Sequence, residues 1–89
     1  MANLDENFTD EAKVALLELT DALMEYDDFD CKFGDVNCTI IDEDNDIGGV
    51  ELYGEVIATY VYSGPTFYVT SIDEELLDEA ITLCDEILN

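Results

Sequence analysis

VELYGEVIATYVYSGPTFYVT, residues 50–70, reads as three short antiparallel strands joined by two tight turns. β-Branched and aromatic side chains fill this stretch, and they suit a pleated surface better than a helix. Gly54-Glu55 sets glycine at the first central position of a two-residue turn, where a type II′ hairpin requires positive φ. Pairing Tyr53 with Val56 then sets Leu52 against Ile57 and Val50 against Thr59, with Glu51 against Ala58 on the other side. If Ser63-Gly64-Pro65 closes the second hairpin, Val61 meets Phe67, Thr59 meets Val69 and Tyr60 meets Tyr68. The two turns together predict a core face of Val50, Leu52, Ile57, Val61, Phe67 and Val69. They also predict a tyrosine-rich face of Glu51, Tyr53, Val56, Ala58, Tyr60, Tyr62 and Tyr68.

The flanks supply what packs on this sheet. From Thr9 to Tyr26, the residues Ala12, Ala15, Leu16, Leu19, Ala22, Leu23 and Tyr26 recur at helical spacing, with Thr9 as the expected N-cap. Asp27, Asp28, Asp30 and Asp35, poor helix formers close to Gly34, end that helix, and Phe29 and Phe33 are expected to anchor the loop. Residues 36–41 (VNCTII) read as a first strand with Val36, Cys38 and Ile40 on one face. The acidic run 42–46 that follows reads as an exposed loop ending in Gly48-Gly49. Ser71 with Glu74 matches a capping box, and Leu76, Leu77, Ala80, Ile81, Cys84, Ile87 and Leu88 trace one face of a last helix. The order α-β-β-β-β-α predicts a single α+β domain over residues 1–89. It is a two-layer sandwich, with a three- or four-stranded antiparallel sheet and both helices on one face.

Charge narrows the function. The 89 residues hold 24 Asp and Glu against 2 Lys and Arg, with no His, for a net charge of -22. Direct binding to nucleic acid or to an anionic membrane is thereby excluded. A hydrophobic fraction of 48% still leaves enough apolar residues for a folded core. Cys31, Cys38 and Cys84 are odd in number and lack CxxC spacing. The polar, acidic opening MANLDENF does not resemble a secretory leader, so a cytoplasmic protein with reduced thiols is expected.

Chemistry finds little to work with. Without histidine there is no ordinary general base near neutral pH and no imidazole ligand, and Ser63 and Ser71 have no sequence partner. No carboxylate pair is singled out by spacing for glycosidase-type work. Residues 44–55 follow the outline of a calcium loop, with Asp44, Asp46, Gly49 and Glu55 at positions 1, 3, 6 and 12. Position 5 is Gly48, position 8 is Glu51 and the flanks read as strands, so the motif fails. The expectation is a non-enzymatic protein without cofactor or metal.

A chain of this length folds to a body about 30 Å across, and duplex DNA spans that distance with roughly 18 phosphates. The net charge is of the same order. Small size, near absence of Lys and Arg, and two helices framing a small antiparallel sheet resemble the phage-encoded DNA-mimic inhibitors. That class includes anti-CRISPR proteins, anti-restriction proteins and uracil-glycosylase inhibitors. The resemblance implies a role, occupation of the basic nucleic-acid groove of a partner such as a Cas complex or restriction enzyme, and assigns no residue.

The residues expected to bind that partner are Asp27, Asp28, Asp30 and Asp35 after the first helix, Asp42, Glu43, Asp44 and Asp46 in the loop, and Glu51 and Glu55 on the hairpin. Tyr53, Tyr60 and Tyr68 are expected to supply apolar anchors beside them. Three other readings stand beside this one. They are an immunity protein for a basic nuclease toxin, a homodimer through the tyrosine-rich face whose charge serves solubility, and halophilic adaptation.

Overall fold

A computed structural model describes residues 3–25 and 35–88. Tyr26, Asp27, Asp28, Phe29, Asp30, Cys31 and Phe33 lie outside the described residues. The elements are α1 (Asp10–Glu25), β1 (Val36–Asp42), β2 (Ile47–Leu52), β3 (Glu55–Ser63), β4 (Thr66–Ile72) and α2 (Glu74–Leu88). The strands pair antiparallel in the order β1-β2-β3-β4. This is the predicted α+β arrangement, with four strands.

Both helices pack on the same face of the sheet. Leu16, Leu19 and Leu23 of α1 and Leu77, Ala80 and Cys84 of α2 form one apolar cluster with Val36, Val50, Leu52, Ile57, Ala58, Val69 and Ile72. Full burial of a Leu or Ile side chain stabilises by about 1.5–3 kcal/mol, and Leu16, Ile57, Ile72 and Leu77 are among the most deeply buried. Thr9 caps α1 as expected, its hydroxyl accepting from Ala12 N at 3.1 Å.

The cap of α2 is Asp73 rather than Ser71. Its Oδ1 accepts from Leu76 N at 3.2 Å and its Oδ2 from Asn3 N at 2.7 Å, so one carboxylate starts the helix and holds the amino-terminal segment. Ser71 belongs to β4, where its hydroxyl is hydrogen bonded to that of Thr59. Ahead of α1, Asp5 and Ile72 exchange two backbone hydrogen bonds, adding one bridge on the outer edge of β4.

The hairpin register differs from the expected one. Tyr53 and Gly54 are the central turn residues, at φ 53° and 81°, which makes a type I′ turn and pairs Leu52 with Glu55. Farther along, Val50 pairs with Ala58 and Glu51 with Val56, leaving Ile57 as the extra residue of a bulge. That bulge directs Ile57 and Ala58 together into the helix-covered side, against Val50. In the second hairpin, Gly64 (φ 57°) and Pro65 form the turn, so Val61 pairs with Tyr68 and Tyr62 with Phe67. Thr70 is the extra residue of another bulge, and its hydroxyl meets that of Thr59 at 2.6 Å.

The predicted tyrosine face therefore does not exist as one surface. Tyr60 and Tyr62 alternate with Ala58 toward the helix side, and Tyr60 packs on Phe67 with ring centroids 4.5 Å apart. Tyr68 and Val61 point to the opposite side. Gly48 and Gly49, expected at the end of a loop, are buried residues inside β2. In β1 only Val36 of the expected inward set is buried, while Cys38 is exposed and Ile40 is 64% exposed.

A carboxylate-rich helical layer as candidate interface

Asp27, Asp28 and Asp30 lie outside the described residues, and the other expected acidic candidates fall at two opposite ends of the sheet. At one end, Asp42 organises the β1–β2 turn. Its Oδ2 accepts from the Asn45 side-chain amide at 2.6 Å, and its Oδ1 accepts from the backbone N–H groups of Asp44 (3.1 Å) and Asn45 (3.3 Å). These bonds hold the Asp42 carboxyl below its ordinary value, the Asn45 amide contributing most. Asp46 sits at φ 56°, and its carbonyl accepts from Tyr62 N at 2.8 Å. Glu43 and Asp44 are exposed at the tip.

At the other end, the Asp35 carbonyl accepts from Tyr53 N at 2.8 Å, which brings Asp35 beside the turn that carries Tyr53 and leads into Glu55. Glu51 lies near that end of β2, half-buried. The six residues of β2 separate the two groups by about 20 Å at ~3.4 Å per residue. Asp44 and Glu55, the first and last positions of the calcium-loop outline, stand at these opposite ends. Among the described residues no group of three or more Cys, Asp or Glu is placed to hold a metal ion.

Of the expected aromatic anchors, Tyr53 and Tyr68 are exposed and Tyr60 is only 4% exposed. Burial, followed by the adjacent Cys38 thiol and then Tyr62, holds the Tyr60 hydroxyl protonated well above its ordinary range. Tyr60 is a packing residue, and its assignment as a contact anchor is corrected accordingly.

Among the described residues the largest set of exposed carboxylates lies elsewhere, on the two helices. Asp10, Glu11, Glu18, Asp21 and Glu25 of α1 and Glu74, Glu75, Asp78, Glu79, Asp85 and Glu86 of α2 are all exposed. Thr9 N donates to Glu74 Oε1 at 3.1 Å, tying the two helix starts together. One cleft between the helices is lined by Thr9, Ala12, Ala15, Leu77 and Asp78, and the next by Ala15, Leu19, Ala22, Ile81 and Cys84. The helices thus run side by side in the same direction, with a groove between them.

Carboxylates stand on both banks of that groove, Glu11 and Glu18 on α1, and Glu74, Asp78 and Asp85 on α2. Its floor is alanine and aliphatic, and burial with the nearby Asp85 pushes the Cys84 thiol up to about 11. At 1.5 Å per residue α1 is about 24 Å long, so the eleven carboxylates of the pair amount to one per about 2.2 Å. Duplex DNA carries one phosphate per ~1.7 Å.

The sequence holds every one of these residues, and periodicity alone reads them as the solvated faces of two separate helices. Adjacency and a shared direction turn two solvated faces into one array, and neither is visible in a helical repeat.

On the opposite side of the sheet, the residues that alternate away from the core are Asn37, Thr39, Ile41, Asp42, Ile47, Gly49, Glu51, Val56, Thr59, Val61 and Tyr68, with Thr70 and Ser71 beside Thr59 at the bulge. Among the described residues the carboxylates on this face are Glu51 and, at the end of β1, Asp42. No described helix is long and apolar enough to cross a membrane. No family model, curated protein or solved structure matches the chain.

Proposed function

We propose that this protein is a non-enzymatic acidic inhibitor that occupies the basic nucleic-acid-binding groove of a partner protein by imitating the charge array of DNA. The observation that carries the reading is the eleven exposed carboxylates on α1 and α2, at a linear density near that of a duplex. Lys and Arg in such a groove are placed to displace counterions from phosphates, and a folded carboxylate layer offers the same exchange without a cleavable backbone. Holding the charges on paired helices means their repulsion is met during folding rather than at the moment of binding.

The distribution of charge favours this over acidity that only serves solubility. A solubilising coat has no reason to favour one face, yet among the described residues the open side of the sheet carries two carboxylates, Glu51 and Asp42, against eleven exposed on the helices. The last turns of both helices hold acids and no base, against the helix macrodipole. Glu74 with Asp78 and Glu75 with Glu79 are like-charge pairs at i, i+4, each destabilising by about 0.2–0.5 kcal/mol. Helix stability alone would select cations at several of these places.

The partner is a basic protein that handles nucleic acid in the cytoplasm, such as a Cas effector complex or a restriction enzyme. A basic nuclease toxin would be met by the same surface. The test is displacement of labelled duplex DNA from purified members of these three classes. The reading expects salt-sensitive displacement of DNA from at least one of them. It also expects the combined changes Glu11→Gln, Glu18→Gln, Asp78→Asn and Asp85→Asn to weaken displacement by about 10-fold or more. Salt-insensitive displacement, or none, defeats it.

A further inference from the structure

The face of the sheet away from the helices is the part of the molecule that the inhibitor reading leaves unused. Ile41 is 44% exposed and Tyr68 49% exposed, and they are joined by half-buried Ile47, Val56 and Val61. The side chains of Ile41 and Val56 meet over Gly49, where an added Cβ would lie 2.7 Å and 3.3 Å from them. The patch is therefore continuous across β1, β2 and β3. Thr39, Thr59 and Thr70 border it with hydroxyls, two of them hydrogen bonded to each other.

We propose that this open face pairs two copies of the chain, sheet against sheet, leaving both carboxylate-bearing helical layers on the outside. The occupant follows from charge. A basic partner is drawn to the helices with their eleven carboxylates, because the described residues of the sheet face offer it two, Glu51 and Asp42 at its edge. Two copies at -22 each repel, and among the described residues this face is where they approach with fewer carboxylates between them than across the helical layer. Sheets pack face to face through alternating apolar side chains about 10 Å apart, which is what Ile41, Ile47, Val56, Val61 and Tyr68 supply.

Area sets the strength. Four strands about 4.8 Å apart and about seven residues long present roughly 450 Å² per copy. Two such faces together come near the ~1,000 Å² that a specific interface needs. The pair is therefore weak, and it strengthens as salt shortens the Debye length from about 10 Å at 0.1 M to about 3 Å at 1 M. That sign separates it from binding to a cationic partner, which salt weakens.

The experiment is analytical ultracentrifugation of the full chain, with reductant to keep the exposed Cys38 thiol from cross-linking. It compares about 0.1 M with about 1 M NaCl. The expected result is a monomer–dimer equilibrium whose Kd falls at least about 10-fold across that range. Tyr68→Glu adds a charge and Ile41→Ser removes apolar area without adding one. Each leaves a monomer at both salts with an unchanged far-UV circular dichroism spectrum. A monomer at high micromolar concentration in the higher salt overturns the proposal, as does a dimer that survives both changes. A monomeric chain in which Tyr68→Glu abolishes displacement of DNA from a partner also overturns it, and assigns the face to that partner instead.

Discussion

The ring of Tyr60 lies across Gly48 so closely that a Cβ at that glycine would sit 2.8 Å from Cε2 and Cζ of the ring. The two residues face each other across the β2–β3 ladder, and the glycine leaves room for an aromatic side chain that is almost fully buried. The next glycine is matched on the other side of the sheet, where Gly49 lies under Ile41 and Val56 and against the Ala58 carbonyl.

Both glycines are therefore required by close approach in a strand. Gly48→Ala forces the Tyr60 ring aside and costs about 1–3 kcal/mol, the usual range for overpacking. Gly49→Ala costs more, because the atom 2.8 Å from its Cβ is a backbone oxygen that cannot swing away. Urea denaturation of the two variants, with unchanged m values, checks the order.

The cap of α2 gives a second expectation. Asp73 is 7% exposed and accepts from both Leu76 N and Asn3 N, so Asp73→Ala removes a helix cap and releases the amino-terminal segment together. A loss of about 1–2 kcal/mol follows, against a few tenths for Glu74→Ala. Thermal denaturation distinguishes this from a Ser71–Glu74 capping box, in which Glu74 would matter more.

Alkaline pH tests the packing of Cys84. Its thiol is raised to about 11 from an unperturbed 9.0, chiefly by burial, so the folded chain keeps a proton that the unfolded chain gives up. The stability tied to that proton is fully present below pH 9 and is lost as pH rises through about 11. Cys84→Ala flattens this part of the stability profile. Near pH 8, a thiol reagent labels exposed Cys38 well before Cys84.

The misplaced charges of the helices make a stability and function trade-off measurable. Glu86 lies in the last turn of α2, where no base is present. Glu86→Lys complements the macrodipole and relieves repulsion, raising Tm by about 2–4 °C, while weakening displacement of nucleic acid from the partner. Added salt raises the Tm of the unaltered chain for the same electrostatic reason.

Much of the fold is legible in the residues themselves. Apolar spacing in α1 and α2, the Thr9 cap and the β-branched run 50–70 each impose one local structure, and together they leave one architecture. The register is less legible. Tyr53 occupies a left-handed position usually filled by Asn, Asp or Gly, so Gly54-Glu55 reads as the turn when Tyr53-Gly54 makes it. The bulge at Ile57 then adds a residue to β3 and moves Ala58 and Tyr60 into the covered face, and the bulge at Thr70 brings Ile72 opposite Ala58. The proposed interface is the least legible part. The run 42–46 draws attention as a string of acids, whereas the carboxylates of the helices are spread over two segments with 48 residues between them and meet only because the helices lie parallel.

The most direct measurement is the salt dependence of displacement for three proteins: the natural chain, the helical variant carrying Glu11→Gln, Glu18→Gln, Asp78→Asn and Asp85→Asn, and a turn variant with Glu43→Gln and Asp44→Asn. The plot of log affinity against log salt should be steep for the natural chain, about as steep for the turn variant, and distinctly shallower for the helical variant, with the greatest loss of affinity there. A helical variant that matches the natural chain in both slope and affinity contradicts the assignment of DNA mimicry to α1 and α2.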